Sequence, residues 1–122
     1  MTQEAAQQQF WSGFGLDAYP NTAVPKNPKL PYLTYQAAAG YENSVSNVTV
    51  QLWFWTDSEA VPNAKADEIG RKIGFGGIQI PCDGGTLWLK RGNPWRVATT
   101  AQDENSLKVR QLNVTIQHLV KE

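Results

Sequence analysis

A two-residue alternation in residues 45–56 constrains the fold of this chain more than any other feature. From Val48 onward, one face of the stretch carries Val48, Val50, Leu52 and Phe54, and the other carries Thr49, Gln51, Trp53 and Trp55. Period two in β-branched and aromatic residues predicts a long strand whose apolar face lies on a core. The second face holds two indoles, which we expect the N-terminal helix, a loop or another subunit to cover.

Two segments with helical spacing flank this strand. Apolar residues recur near helical spacing in residues 3–16, which predicts an N-terminal helix. The second helix has Pro62 in its first turn, continues over residues 65–73 and closes at Gly74, a residue type that suits the position after a helix. Residues 17–31 contain four prolines and no period, so we expect a connector there.

Three shorter strands follow from local patterns. Residues 32–38 precede the long strand across a turn, which predicts that the two strands pair in antiparallel fashion. Residues 78–80 and 86–90 predict a hairpin, because the glycines that follow Asp83 suit a tight turn.

The C-terminal part predicts a loop and a second long strand. Residues 92–106 show no period, and a loop of this length in a small domain is often functional. The strand is expected over residues 107–120, with a bulge or a change of covering near Arg110 or Gln111, where its apolar phase changes.

These elements predict one α+β domain over residues 1–122, with a sheet and helix core over residues 32–120. The predicted order is α-β-β-α-β-β-β. We expect a mixed or mostly antiparallel sheet of about five strands with two helices packed on one face.

Composition argues against several classes of partner. The 11 basic and 11 acidic residues give zero formal net charge, which disfavours a nucleic-acid-binding protein. Cys82 is the single cysteine, so no internal disulfide can form, in agreement with a reducing compartment. The sequence lacks the pattern of a signal peptide and any apolar run long enough to span a bilayer, so we expect a soluble chain without a membrane partner.

The sequence shows no catalytic constellation, and we expect no enzyme activity, cofactor or metal. His118 lies in the inward phase of the last strand, where a packing histidine is commoner than a general base. Cys82 has no His or Lys nearby in sequence to lower its pKa, which favours an inert thiol. The adjacent acidic pairs, at residues 67–68 and 103–104, are typical of solvation or capping rather than of acid–base catalysis. Residues 74–77 are rich in glycine but follow a helix instead of opening one, which argues against a phosphate site.

Four short motifs resemble a family of structural proteins. They are LPYLTY at residues 30–35, VQLWFW at 50–55, AKADEI at 64–69 and GTLWLKRGNPW at 85–95. Over roughly residues 28–120 the chain is similar to small neck and tail-terminator (tail-completion) proteins of long-tailed bacteriophages. The segments PYLTY and RGNPW carry most of this resemblance.

The resemblance implies a virion protein that assembles in the host cytoplasm and forms a ring, a hexamer, at the head-proximal end of the tail tube. Such a ring stops tube polymerisation and offers a docking surface for the head. Its partners would be copies of itself, the tail tube protein and the head–tail connector protein, with DNA only passing through. A head-to-tail contact that closes by rotation produces such a ring. A head–tail connector or minor capsid protein of the neck is the alternative within this class.

Five tryptophans are more than one small core of 122 residues is expected to cover, so we expect some of them at an interface. The candidate interface residues are Trp53, Trp55, Trp95, Arg96, Asp103 and Glu104. Two other classes stay open. One is a monomeric module that binds a carbohydrate or peptide through Trp53 and Trp55, and the other is a small hydrolase whose acid–base pair is distant in sequence.

Overall fold

The chain folds as two helices and a single mixed sheet, seen in a computed structural model that describes residues 1–41, 43–100 and 106–120. The elements are α1 (Gln3–Trp11) with a 3-10 turn (Ser12–Phe14), β1 (Asp17–Pro20), β2 (Tyr32–Tyr35), β3 (Val45–Trp55), α2 (Ala60–Ile73), β4 (Ile78–Cys82), β5 (Gly85–Thr100) and β6 (Leu107–Val120). The strand order is β1-β2-β3-β6-β5-β4, in which only β1 and β2 run parallel. The α+β class is confirmed, but the described residues form six strands instead of about five.

The N-terminal segment is helical as predicted, and an unpredicted strand follows it. The Thr2 hydroxyl accepts a hydrogen bond of 3.0 Å from the Ala5 N–H and so caps α1. Gly15, at φ 77°, ends the 3-10 turn. Strand β1 then lies inside the predicted connector, where Asp17 is in register with Tyr32. A strand of four residues is too short to show a period in sequence, and its pairing with β2 is what forms it.

Strand β3 has the two faces that its alternation predicts. Val48, Val50, Leu52 and Phe54 are buried, while the residues between them are half-buried. Its neighbour β2 is antiparallel to it, as predicted, and aligns Leu33 with Leu52. We call the side that carries these buried residues the inner face of the sheet.

The prediction of a loop is wrong over residues 92–100, because β5 continues to Thr100, while residues 101–105 lie outside the described part of the chain. The register between β5 and β6 shifts between Arg91 and Arg96, so the residues between them are not aligned one to one with residues of β6. Pro94 lies in this irregularity, and a proline has no N–H to donate to a sheet. Gly92 and Pro94 therefore interrupt the strand pattern in the sequence, although the strand resumes directly after them.

Of the two alternatives predicted near Arg110 or Gln111, the bulge is wrong, because β6 pairs with β3 without interruption from Leu107 to Gln117. The apolar phase changes because Arg110 occupies an inner position and bonds to α2. Its guanidinium donates to Asn63 Oδ1 at 2.8 Å and forms an ion pair with Glu59, the residue before α2.

Candidate functional site

Both helices lie on the inner face of the sheet, which leaves the outer face without a helix among the described residues. Residues of α1 and α2 belong to the same buried cluster as the inner residues of the strands, and include Ala6, Trp11, Ala66, Ile69 and Ile73. The outer face is therefore a candidate interaction surface.

Trp53 lies on the outer face, in a row of aromatic side chains. Its ring stacks on Tyr32 with centroids 5.7 Å apart and planes at 11°, and Tyr32 contacts Tyr19 at 6.2 Å. The indole Nε1 donates to Thr34 Oγ1 at 3.0 Å. Neighbouring strands thus cover much of this indole. The expectation that the N-terminal helix covers it is wrong, since α1 packs on the opposite face, where Trp11 stacks on Tyr35.

The aromatic row includes a tyrosine, Tyr32, whose pKa is shifted. Burial raises the pKa of the Tyr32 hydroxyl, so the neutral phenol is favoured next to Trp53. Tyr32 is consequently uncharged at physiological pH.

Trp55 is the exposed member of the predicted interface. It lies two residues beyond Trp53 on the same outer face, opposite Leu107 of β6, and is 58% exposed. An indole with this exposure is a plain candidate for contact with another protein.

Trp95 and Arg96 bind helix α2 instead of forming an exposed loop. Trp95 Nε1 donates to the Ala66 carbonyl oxygen at 3.2 Å, and Arg96 Nη1 lies 3.1 Å from Asp67 Oδ1. The indole also lies against Gly70, where an added Cβ would stand 3.0 Å from Nε1. These two residues fasten β5 to α2 within one chain.

The structure therefore brings only part of the predicted site together. Trp53 and Trp55 share the outer face, whereas Trp95 and Arg96 lie at the helix. Asp103 and Glu104 lie outside the described residues.

The outer face of the two central strands carries no charged side chain, a feature that sequence reasoning did not single out. Between the apolar ends of β3 and β6 this face consists of Asn47, Thr49, Gln51, Gln111, Asn113, Thr115 and Gln117. The alternation of each strand contains this information, but only the pairing of β3 with β6 shows that the two polar rows are adjacent.

The far half of β5 forms an open edge of the sheet, which we define as residues 96–100. Strand β4 pairs with β5 only between Gly85 and Leu89, so the open edge has β6 on one side and no described strand on the other. Val97 is 36% exposed there. Sequence reasoning missed this edge because it assigned the segment to a loop, although Val97, Thr99 and Thr100 are β-branched.

His118 lies in the inward phase of β6 as predicted, but its ring is not satisfied. Both imidazole nitrogens are buried without a hydrogen-bond partner among the described residues. The ring lines an open pocket of about 510 Å³ together with Gln3, Gly40, Tyr41 and Val120. Among the described residues, the lining of this pocket contains no carboxylate or thiol.

Cys82 has the properties of an unreactive thiol. Burial raises its pKa, the neighbouring Asp83 carboxylate raises it further, and the N-terminal ammonium group opposes both effects. A raised pKa reduces the thiolate fraction, which is the nucleophilic form.

The described part of the chain contains neither a cluster of metal ligands nor a membrane-spanning helix. No group of three or more His, Cys, Asp or Glu side chains there could hold a metal ion. None of the helices there is long and apolar enough to cross a membrane.

The fold is similar to that of known solved chains. A chain of the virion of a native gene transfer agent (GTA) particle superposes with a TM-score of 0.70, at 16% identity, over 96% of this chain and 94% of that chain. A second solved structure, which carries no functional name, superposes with a TM-score of 0.67, at 12% identity, over 97% of this chain and 94% of its own. No family model matches the sequence, and no curated protein matches it. At these identities the likeness shows a shared fold.

Proposed function

We propose that this chain is a structural protein of a phage-like virion, a tail terminator that forms a ring on the end of the tail tube and offers the surface on which the head docks. The observation that carries the proposal is the match of almost the whole fold to a chain of a gene transfer agent virion, at a TM-score of 0.70. A full-length match supports a common building plan, although function depends on surfaces and not on fold.

The uncharged outer surface of β3 and β6 supports this role. A surface of amides and hydroxyls can contact another protein without the cost of desolvating charges. Such a surface also gives no cluster of cations on which the phosphates of DNA would be held. Both properties, contact with another protein and the lack of a cation cluster that holds DNA, suit a ring through which DNA passes.

Trp55 supplies the anchor for a contact with the tube or with a neighbouring copy. It stands at the end of β3, next to the aromatic row of Tyr19, Tyr32 and Trp53. Large aromatic side chains at the centre of a contact supply much of the binding energy in protein interfaces.

A head–tail connector or minor capsid protein of the neck is the second candidate, and it shares the same supporting match. The binding-module hypothesis is weakened because Tyr32 and Thr34 engage Trp53, so that Trp55 alone is available to a small ligand.

The test is to add the purified chain to tail tube protein during polymerisation and to image the tubes by negative-stain electron microscopy. We expect elongation to stop, with a ring-shaped density on one tube end. The matched variants are Trp55→Ala, which should weaken capping, and Glu68→Ala on the exposed side of α2, which should not. Binding to purified connector but not to tube ends would favour the neck protein, and binding to neither would contradict both.

A further inference from the structure

The geometry points to a specific contact between copies: the connector that follows β1 in one copy adds as a strand to the open edge of β5 in the next copy. We define residues 22–29 as the arm. The inference deepens the proposed function and rests on it for the closed ring, and the experiments below separate the two.

The open edge is prepared to receive a strand. In an extended strand every second residue directs its N–H and C=O away from a given neighbour, so residues 96–100 present main-chain groups on the side opposite β6. No further backbone hydrogen bond joins these residues to other described parts of the chain.

This edge also lacks the features that block edge pairing. Proteins protect exposed edges with lysines, prolines, bulges or covering loops. Here the register irregularity ends at Arg96, whose charge is paired with Asp67, and the remaining residues are Val97, Ala98, Thr99 and Thr100. A neutral edge with three β-branched residues recruits another strand.

The arm makes almost no contact with its own chain. All of its residues are exposed except Pro28, which is half-buried. Its one hydrogen bond within the described structure runs from the Ala23 N–H to the Pro20 carbonyl oxygen at 2.9 Å. An exposed segment that bonds to little in its own chain has its main-chain groups available to a partner.

One side of residues 22–26, the first part of the arm, is free of proline. If these residues are extended, Thr22, Val24 and Lys26 direct their N–H groups to one side, whereas Pro25 falls in the opposite phase; Pro28, in the phase of Val24, lies beyond this stretch. A proline is tolerated in a strand where its missing N–H faces away from the partner. Residues 22–26, which match the five residues of the open edge in length, can therefore bond to it through the phase of Val24.

The arm is far along the sheet from the open edge of its own chain. A strand added beyond β5 would lie five inter-strand spacings from β1, about 24 Å measured along the sheet. The connector is anchored at both ends, at Pro20 and Tyr32, so its 11 residues can extend out and back by only about 18 Å. The arm of another copy therefore fills this edge.

Because the arm and the open edge lie at opposite ends of the sheet, their contact joins unlike surfaces. Contacts of this kind propagate from copy to copy, and they form a ring where the rotation closes. The proposed contact thus explains how one small chain can build a ring.

The first experiment is disulfide cross-linking in a Cys82→Ser background. Val24→Cys is combined in turn with Arg96→Cys, Val97→Cys, Ala98→Cys, Thr99→Cys and Thr100→Cys, because paired strands bring Cα atoms within disulfide range and the five partners cover every position of the open edge. We expect at least one pair to give a ladder of multimers on a non-reducing gel that reductant removes. Val24→Cys with Lys72→Cys, on the exposed side of α2, is the control and should give no ladder.

The second experiment compares two proline substitutions in the arm. Val24→Pro removes an N–H from the pairing phase, and we expect it to raise the concentration needed for self-association about tenfold or more. Asn27→Pro places a proline in the opposite phase and should change this concentration less than about twofold. Light scattering on a sizing column, alone and with purified tail tubes, measures both.

The outcomes separate the two proposals. Oligomers that form without a cross-link in any register, or that respond equally to both prolines, overturn the arm contact and leave the terminator role standing. A cross-linked ladder from a protein that does not stop tube growth supports the arm contact and overturns the terminator role. A strict monomer at every concentration, also on tubes, overturns both.

Discussion

Replacing Trp95 by alanine should destabilise the fold, whereas the same change at Trp55 should not. Trp95 is mostly buried between β5 and α2 and donates a hydrogen bond of 3.2 Å to Ala66. Trp55 is 58% exposed and receives little support from its own chain. The sequence treats both as interface residues, so the comparison tests whether the tertiary contacts of Trp95 exist.

The magnitude follows from the buried area. A mostly buried indole removes about 120–150 Å² from water, worth about 3–4 kcal/mol at about 25 cal/mol per Å². The lost hydrogen bond adds about 1 kcal/mol, and residual structure in the unfolded chain offsets a similar amount. We therefore expect Trp95→Ala to lower the free energy of unfolding by about 3–4 kcal/mol, or Tm by roughly 10–15 °C. Trp55→Ala should cost less than about 1 kcal/mol.

Urea unfolding followed by far-ultraviolet circular dichroism measures both changes. Trp95→Phe is the matched control, because it keeps most of the apolar area and removes the Nε1 donor, so its loss should be about 1–2 kcal/mol. Equal midpoints for Trp95→Ala and Trp55→Ala would refute the reasoning. So would a Trp95→Ala variant that unfolds like the wild type but no longer self-associates.

Three more predictions follow from single contacts. Glu59→Ala should lower the free energy of unfolding by about 1–3 kcal/mol in urea titrations, because it unpairs Arg110, whose side chain is only 5% exposed; unchanged stability would show that the ion pair is unimportant. Cys82 should react with iodoacetamide more slowly at pH 8 than after unfolding in urea, because burial and a neighbouring carboxylate raise its pKa, and equal rates would contradict this. Gly85→Ala should cost more than about 2 kcal/mol, because its Cβ would meet a backbone carbonyl oxygen of β6 at 1.9 Å, while Gly76→Ala, with nothing within 4 Å, should be nearly neutral by the same assay.

Much of the fold could be predicted from local patterns. The faces of β3, the hairpin between β4 and β5 and the approximate extent of both helices follow from periods and turn residues that neighbouring positions share. These signals lie within one segment, so no knowledge of the partner segments is required.

The candidate site could be predicted only in part. The sequence selects Trp53 and Trp55 as partners on one face, which the structure confirms. The sequence also assigns Trp95 and Arg96 to an exposed loop, because Gly92 and Pro94 interrupt the strand pattern before them. Their contacts with α2 link residues that are distant in sequence, and no local period reports such a contact.

The sequence by itself determined which side chains can share a face, since the pleat of a strand and the turn of a helix are properties of the local backbone. Only the tertiary structure decided what lies across from each face. It placed both helices on the inner side, brought two uncharged rows together on the outer side and left residues 96–100 with β6 on one side and no described strand on the other. Pairing and packing join segments far apart in the chain, and their free energies depend on which surfaces meet.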